Sequence, residues 1–118
     1  MNIKSSTAVF HVSNLEISLK YYREVLGFTF DFQHEDYVGL KMGDIALHLV
    51  GPKNHTRPVG AGTVYFTCDE VDSYYAEIND RGALLTGEPQ EYFYGMRDFI
   101  TVDPDGNHLS FGCKGSGL

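Results

Sequence analysis

The chain has 118 residues, of which 42% are apolar and 14% aromatic, and its formal net charge is −7. This length supports one hydrophobic core, so we expect a single domain over residues 1–118. The acidic balance argues against a nucleic acid or a membrane as partner, because both present negative charge. Cys68 and Cys113 are far apart and outside any CxxC motif, so no zinc knuckle or disulfide framework is indicated and their redox state stays open. No apolar run is long enough for a signal peptide or a membrane span, and we expect a cytoplasmic location.

The first half of the chain predicts a βαβββ unit. Residues 7–12 alternate in polarity as a strand does, with Thr7 and His11 on the same face. Ser13 and Glu16 have the spacing of a capping box before a helix whose apolar positions recur up to Gly27, a residue suited to ending a helix. Three short strands are then expected, at residues 28–32, 37–41 and 45–50.

The second half repeats this order after a linker at residues 52–62, which is rich in Gly and Pro. A shift of 56 positions places Thr7 on Thr63 and Ser13 on Asp69, the residue expected to cap the second helix. That helix extends from Val71 to Gly82. The other elements are strands at residues 63–68, 83–86, 97–102 and 108–112 and an aromatic segment at residues 92–94.

We therefore predict an α+β fold of two tandem βαβββ modules, at about 5–51 and about 63–113, with a flexible tail at 114–118. The modules should form a curved mixed sheet with helices on the outer face. Its concave face should line a groove shared by the modules, which is where a ligand would bind.

The sequence Asp-Pro-Asp-Gly-Asn at residues 103–107 predicts the turn between the last two strands. Pro104 fixes φ early in the turn, and Gly106 accepts a positive φ where the chain reverses. In the strand that follows, Leu109 shares one face with Phe111 while His108 and Ser110 share the other. One face therefore packs against the core, and the polar face is available for function.

Two segments, together with the paired modules, resemble a known family. They read VSNLEISLKYYREVLGF and YGMRDFITVDPDGNHLSF. The resemblance is to the vicinal-oxygen-chelate superfamily, which includes glyoxalase I, extradiol dioxygenases and bleomycin-resistance proteins, and it extends from about Thr7 to Gly112. The segment EDYVGLKMGDIALHLV, followed by YGMRDF and DPDGN, is most similar to the bleomycin-resistance branch.

In the metal enzymes of this superfamily the ligands lie on the first and last strands of each module. The resemblance places those positions at Thr7, His48, Thr63 and Ser110. A hydroxyl is a poor ligand for Zn, Ni or Fe, so only His48 suits a divalent metal. His11 lies roughly 13 Å along the strand from Thr7 and cannot share a metal with a residue beside it. The resemblance thus implies no metal, no cofactor and no catalytic residue.

The function that these positions favour is sequestration of a small cationic or aromatic molecule, as in bleomycin-resistance proteins, by a homodimer with sites at the subunit boundary. Aromatic rings would stack on such a ligand, and acids near the groove would attract a cation. Arg97 either contacts the ligand or forms a structural ion pair. The candidate ligand-binding residues are Thr7, His11, Phe32, Tyr37, His48, Thr63, Tyr65, Tyr94, Arg97, His108 and Ser110.

Two alternatives remain open at this stage. One is a glyoxalase-like lyase or a dioxygenase with a displaced metal site around His48. The other is a partner-binding module that takes no small ligand.

Overall fold

The computed structural model describes residues 1–53, 57–92 and 94–115 and has the predicted α+β architecture. The other residues, which belong to the predicted linker (54–56), the aromatic segment (Phe93) and the predicted tail (116–118), lie outside the described residues. The first half contains β1 (Ala8–His11), α1 (Leu15–Lys20), a π-helical turn (Tyr21–Val25) that continues α1, β2 (Thr29–His34), β3 (Tyr37–Met42) and β4 (Ile45–Val50). The second half contains β5 (Thr63–Thr67), α2 (Val71–Asp80), β6 (Leu84–Leu85), β7 (Gln90–Glu91), β8 (Met96–Val102) and β9 (His108–Lys114).

Each half of the chain forms its own mixed sheet, and the two sheets have the same strand order. The first sheet is ordered β1-β4-β3-β2 and the second β5-β9-β8-β6, with β7 also paired to β8. In both sheets the first strand runs parallel to the last, with Ala8 beside Leu47 and Val64 beside Leu109. Ala8 and Val64 are related by the shift of 56 positions, while their partners Leu47 and Leu109 are 62 positions apart, so the internal repeat is confirmed in strand order and direction.

Both predicted helix caps are wrong, whereas the predicted end of the first helix is confirmed. The N-cap of α1 is Asn14, whose side chain accepts a hydrogen bond from the backbone N–H of Ile17. Ser13 instead donates through its backbone N–H and its hydroxyl to the carboxylate of Asp105 in the second half. The N-cap of α2 is Glu70, one residue after Asp69. Gly27 has a φ of 87°, the left-handed conformation that commonly ends a helix at glycine.

The predicted strand at residues 83–86 is present as the short strand β6, and a second short strand that the sequence did not predict, β7, follows it. β6 and β7 pair with opposite ends of β8, as Leu84 lies beside Val102 and Gln90 beside Asp98. Pro89 lies between β6 and β7, and proline cannot donate to a strand ladder. This explains why no single continuous strand forms along β8.

One hydrophobic core joins the helix-facing sides of the two sheets. It includes Phe10 and Leu47 from the first sheet and Phe99 and Leu109 from the second. The hydroxyl of Tyr21 also donates across the junction to the backbone carbonyl of Val102, at 2.9 Å. The opposite face of each sheet, here called the groove face, therefore lies away from the shared core. No helix in the described ranges is long and apolar enough to cross a membrane.

The predicted turn at residues 103–107 is confirmed, and it also fixes the two halves to each other. The side chain of Asp103 is only 1% exposed. Its Oδ2 accepts from the hydroxyl of Tyr22 at 2.9 Å and from Nδ2 of Asn107 at 2.8 Å, while Oδ1 accepts from two backbone N–H groups of the turn. Burial, followed by the Asp103 carboxylate, raises the pKa of Tyr22 well above its ordinary value. Asn107 in turn accepts from the backbone N–H of Gly62 at 2.8 Å.

Candidate functional site

Three aromatic side chains, Phe32, Tyr37 and His48, form what we call the ring cluster on the groove face of the first sheet. The ring centroids of Phe32 and Tyr37 are 6.2 Å apart and those of Phe32 and His48 are 5.2 Å apart. Gly39 makes this possible, because a Cβ at that position would lie only 2.1 Å from the Phe32 ring. The glycine lies between Phe32 and His48 in the strand register and lets the phenyl ring cover the sheet.

The imidazole of His48 is held in place by Tyr37. The hydroxyl of Tyr37 and Nδ1 of His48 are 2.8 Å apart, with the donor set by the histidine tautomer. Since Nδ1 is engaged in this way, Nε2 is the ring nitrogen left for a ligand or a metal. The cluster thus offers planar surfaces and one polar atom.

Tyr65, Tyr94 and Asp98 form what we call the tyrosine–aspartate cluster on the groove face of the second sheet. Asp98 is 5% exposed, and its Oδ2 accepts hydrogen bonds from the hydroxyls of both tyrosines. The tyrosines themselves are 44% and 51% exposed. Tyr92 stacks on Tyr94 with ring centroids 5.4 Å apart. This arrangement combines a buried carboxylate with exposed ring faces, and both features attract organic cations.

Burial and the hydrogen bonds to Asp98 raise the pKa of both tyrosines above the ordinary tyrosine value. Hydrogen bonding to Asp98, then burial, raises the pKa of Tyr94 to about 12. Burial, then hydrogen bonding to Asp98, raises the pKa of Tyr65 above its ordinary value. Because these folded-state pKa values exceed the unfolded value of about 10, the stabilisation is fully present below that pH and is lost as the pH rises through the folded values.

Gly112 provides the space that Tyr65 occupies. Gly112 is the register partner of Asp98, and a Cβ at this position would lie 1.9 Å from the hydroxyl oxygen of Tyr65. The absence of a side chain therefore lets the phenol lie across β9 and reach Asp98. In the first sheet, Gly39 provides the space for the Phe32 ring in the same way.

Replacing Gly112 with alanine is expected to displace the Tyr65 ring and break its bond to Asp98, at a cost of about 1–2 kcal/mol. The pKa of Tyr65 should then fall towards the ordinary tyrosine value, which an alkaline absorbance titration measures. Gly87→Ala is the matched control, because no atom lies within 4 Å of a Cβ built there. Unchanged tyrosine titration in Gly112→Ala would show that the ring does not depend on this glycine.

Several other predicted site residues lie on the same groove faces. In the second sheet, Thr63 is the register partner of His108, and Tyr65 is the register partner of Ser110. In the first sheet, Thr7 is exposed and precedes β1. The half-buried His11 ends β1, and its carbonyl accepts from the backbone N–H of Gly60. Thr7 and His11 thus lie at opposite ends of β1, and neither belongs to the two clusters.

The structure places Arg97 on the opposite face of the second sheet, away from the predicted ligand groove. Its guanidinium donates two hydrogen bonds to Asp72 of α2, at 2.9 and 2.7 Å. The hydrogen bonds with Arg97 lower the pKa of the Asp72 carboxyl. The structural ion pair is therefore the arrangement present, and the groove-face residue of this strand segment is Asp98.

The sequence analysis counted Asp98 among the acids near the groove but not among the ligand-binding residues, although strand parity contains the signal. Phe99 belongs to the core, so its neighbour Asp98 must lie on the groove face and Arg97 on the helix side. The alternation is hard to recognise because Ile100 and Val102 place apolar side chains on the groove face as well. Gly39 and Gly112 carry no comparable signal, since only the structure shows which ring covers them.

The four positions that correspond to metal ligands in the superfamily do not fit a transition metal here. Three of them hold hydroxyls, and strand register separates the pairs. Val9, rather than Thr7, is the partner of His48, and His108, rather than Ser110, is the partner of Thr63. Over residues 1–53, 57–92 and 94–115, no three His, Cys, Asp or Glu side chains lie together in a way that could hold a metal ion.

A cavity of about 880 Å³ lies between α1 and β2, away from both clusters. Its lining includes Ile17, Lys20, Arg23 and Phe30, and none of the residues predicted for the site. The cavity is open to solvent. We therefore place the candidate site at the two clusters, where hydrogen-bonded and stacked side chains converge.

Comparison with known families agrees with this architecture. Residues 5–111 match the model of the Glyoxalase/Bleomycin resistance protein/Dioxygenase superfamily. The chain belongs to this superfamily. The resemblance inferred from the sequence is thereby confirmed, and so is the paired βαβββ fold that it implies.

Individual superfamily members differ in what they do. A bleomycin resistance protein of Geobacillus stearothermophilus is 25% identical to this chain, and the match covers 85% of this chain and 89% of that protein. The crystal structure of a bleomycin-binding protein from Streptomyces verticillus, complexed with copper(II)-bleomycin, matches with a TM-score of 0.80 at 22% identity, covering 94% of this chain and 96% of that chain. A lactoylglutathione lyase from Agrobacterium tumefaciens matches with a TM-score of 0.77 at 21% identity, covering 93% and 92%. The two structural likenesses show the shared fold.

Proposed function

We propose that this superfamily member is a non-catalytic cytoplasmic protein that sequesters a small cationic or aromatic molecule on its groove faces. The tyrosine–aspartate cluster carries the proposal, because a nine-tenths-buried carboxylate beside exposed, stacked phenol rings suits a planar cation. The ring cluster of the first sheet would supply a second stacking surface. The curated bleomycin resistance relative supports a binding role.

We further propose that a second copy of the chain completes the site. The groove faces belong to two separate sheets and lie away from the shared core, so each is open in one chain. Every residue of the edge strand β2 is exposed, and Phe32 extends the ring cluster to this edge, whereas Phe30 lies on the helix side. Exposed rings grouped in this way on a small chain are typical of an interaction surface. In the proposed homodimer the groove faces of two chains enclose the ligand.

We expect light scattering at tens of micromolar protein to give twice the chain mass. Phe32→Asp should shift the mass towards that of a single chain, since it places a charge in the apolar contact of the groove face. Ile45→Asp is the control, because Ile45 is also an exposed apolar residue but lies on β4. A parent protein that stays monomeric and still binds its ligand would show that one chain forms the complete site.

The binding function is tested by a thermal-shift screen with cationic antibiotics, including bleomycin, and aromatic metabolites. A ligand of the folded state raises the melting temperature by mass action, and calorimetry on each hit gives affinity and stoichiometry. We expect hits that carry both a ring and a positive charge. Binding of neutral aliphatic compounds alone would contradict the proposed chemistry, and an absence of hits would favour the partner-binding module.

The enzyme alternative rests on His48 and on the fold shared with the lyase. The hydrogen bond between Tyr37 and His48 fixes the imidazole of His48 on the groove face, as a displaced metal site would need. Elemental analysis of the purified protein distinguishes the two functions. We expect no stoichiometric transition metal, whereas one equivalent of Zn, Ni, Fe or Mn that is lost in His48→Ala would favour the enzyme.

A further inference from the structure

Cys68 and Cys113 are far apart in sequence but adjacent in the second sheet. The backbone N–H of Cys68 donates to the carbonyl of Gly112 at 2.7 Å, continuing the parallel register in which Thr67 lies beside Gly112. In a parallel ladder, this bond makes the next residue, Cys113, the partner of Cys68. The two cysteines therefore lie side by side at the edge of the sheet.

Both thiols lie on the same face and within reach of each other. Cys68 follows Phe66 by two residues and Cys113 follows Phe111 by two, and all four side chains pack against the core. Adjacent strands lie about 4.7–4.9 Å apart, within the Cα separation of about 4.4–6.8 Å that disulfides span. Cys68 comes just after the end of β5, which is an edge strand, so the backbone there can adjust to bring the sulfur atoms together.

The thiols are also accessible to a small reagent. Both cysteines are free and half-buried. Cys68 lines an apolar cavity of about 190 Å³ and a neighbouring cavity of about 230 Å³ that also contacts Asp69 and Ser73. Each cavity is several times larger than the volume of about 30 Å³ that a water molecule takes in the liquid. Both cavities lie beside Cys68, and its neighbour Cys113 is itself partly exposed, so a hydroperoxide can approach the pair.

We propose that Cys68 and Cys113 are an oxidation site, at which a hydroperoxide converts the two thiols into an intramolecular disulfide. In the first step the sulfur of Cys113 attacks the peroxide, so an S–O bond forms, the O–O bond breaks and one oxygen leaves as water or an alcohol. In the second step the sulfur of Cys68 displaces the hydroxyl of the sulfenic acid, so the S–S bond forms and water leaves. Two electrons and two protons pass from the protein to one peroxide.

The surroundings of the two thiols set the order of these steps. Burial, then Cys113 and Asp69, raises the pKa of the Cys68 thiol, so Cys68 stays protonated near neutral pH and is the slower nucleophile. Cys113 has Arg97 as its register partner on β8, and the guanidinium of that arginine is paired with Asp72. Cys113 is therefore the thiol to which we assign the first step. The bridge would join β5 to β9 directly beside Gly112, which supports the tyrosine–aspartate cluster.

The test treats the reduced, folded protein with hydrogen peroxide near stoichiometry and measures intact mass, free thiols and linked peptides. We expect the loss of two hydrogens, the loss of both thiols and a peptide linking Cys68 to Cys113, all reversed by a dithiol reductant. In Cys68→Ser the sulfenic acid on Cys113 should persist and react with dimedone, whereas Cys113→Ser should label several-fold less. The same chain unfolded in urea should form the bridge several-fold more slowly.

Three results would overturn the proposal: sulfinic acid on separate cysteines, a disulfide between chains, or equal bridging rates in folded and unfolded protein. The wild-type mapping decides the matter even if a serine variant fails to fold. No groove ligand enters the experiment, so its outcome is independent of the proposed binding function.

Discussion

Replacing Asp103 with alanine is expected to lower the free energy of unfolding by about 3–5 kcal/mol. The buried carboxylate accepts four hydrogen bonds, and its removal leaves the hydroxyl of Tyr22 and the side-chain amide of Asn107 without this acceptor in the interior. The same change releases the turn that joins the two halves of the chain. Urea denaturation followed by circular dichroism measures the loss, which is a large part of the stability of a small domain.

Two matched variants separate the buried network from the rest of the turn. Tyr22→Phe removes a single hydroxyl from the network and should cost about 1–2 kcal/mol. Asp105→Ala removes the exposed bonds to Ser13 and should cost less than about 1 kcal/mol. If Asp103→Ala were no worse than Asp105→Ala, the buried network would not be what holds the halves together.

The elements that local residue chemistry determines were predictable from the sequence. Gly27 ends the first helix because a left-handed residue there favours glycine, and the turn after Asp103 follows from Pro104 and Gly106. The repeat also holds, because both halves bury the same face of their strands. The predicted N-cap at Ser13 is wrong for a physical reason. Its hydroxyl bonds to Asp105, which is distant in sequence, and tertiary contacts of this kind override a local capping pattern.

The candidate site was only partly predictable because side chains reach across strands. Parity placed Tyr65 and His48 on the groove faces, but it could not show that Tyr65 crosses Gly112 to reach Asp98. For Arg97 the sequence left a ligand contact and a structural ion pair open, because strand β8 has apolar residues on both sides and its alternation does not identify the groove face. The proximity of Cys68 and Cys113 depends on strand register between distant segments, which no local pattern contains.

Replacing Asp98 with asparagine is expected to weaken binding of a cationic aromatic ligand by about 2–3 kcal/mol, or about 30- to 150-fold. The variant keeps the size of the side chain and a hydrogen-bond acceptor for Tyr65 and Tyr94. It removes only the negative charge to which both hydroxyls donate. The pKa of Tyr94 should also fall from about 12 towards its ordinary value, because the bond to the carboxylate is the main cause of its shift. Calorimetry and alkaline absorbance titration measure the two effects separately.

Arg97→Ala is the control for charge, because it alters the helix side of the same strand and should leave ligand affinity unchanged. Tyr65→Ala and Tyr94→Ala test stacking, and each should cost about 1–3 kcal/mol of binding free energy if its ring contacts the ligand. A neutral analogue of the ligand should bind the parent and Asp98→Asn equally, since only the charge distinguishes them. If Asp98→Asn lowered the pKa of Tyr94 but bound the cation as tightly as the parent, the ligand would bind elsewhere and the tyrosine–aspartate cluster would be a structural feature of the second sheet.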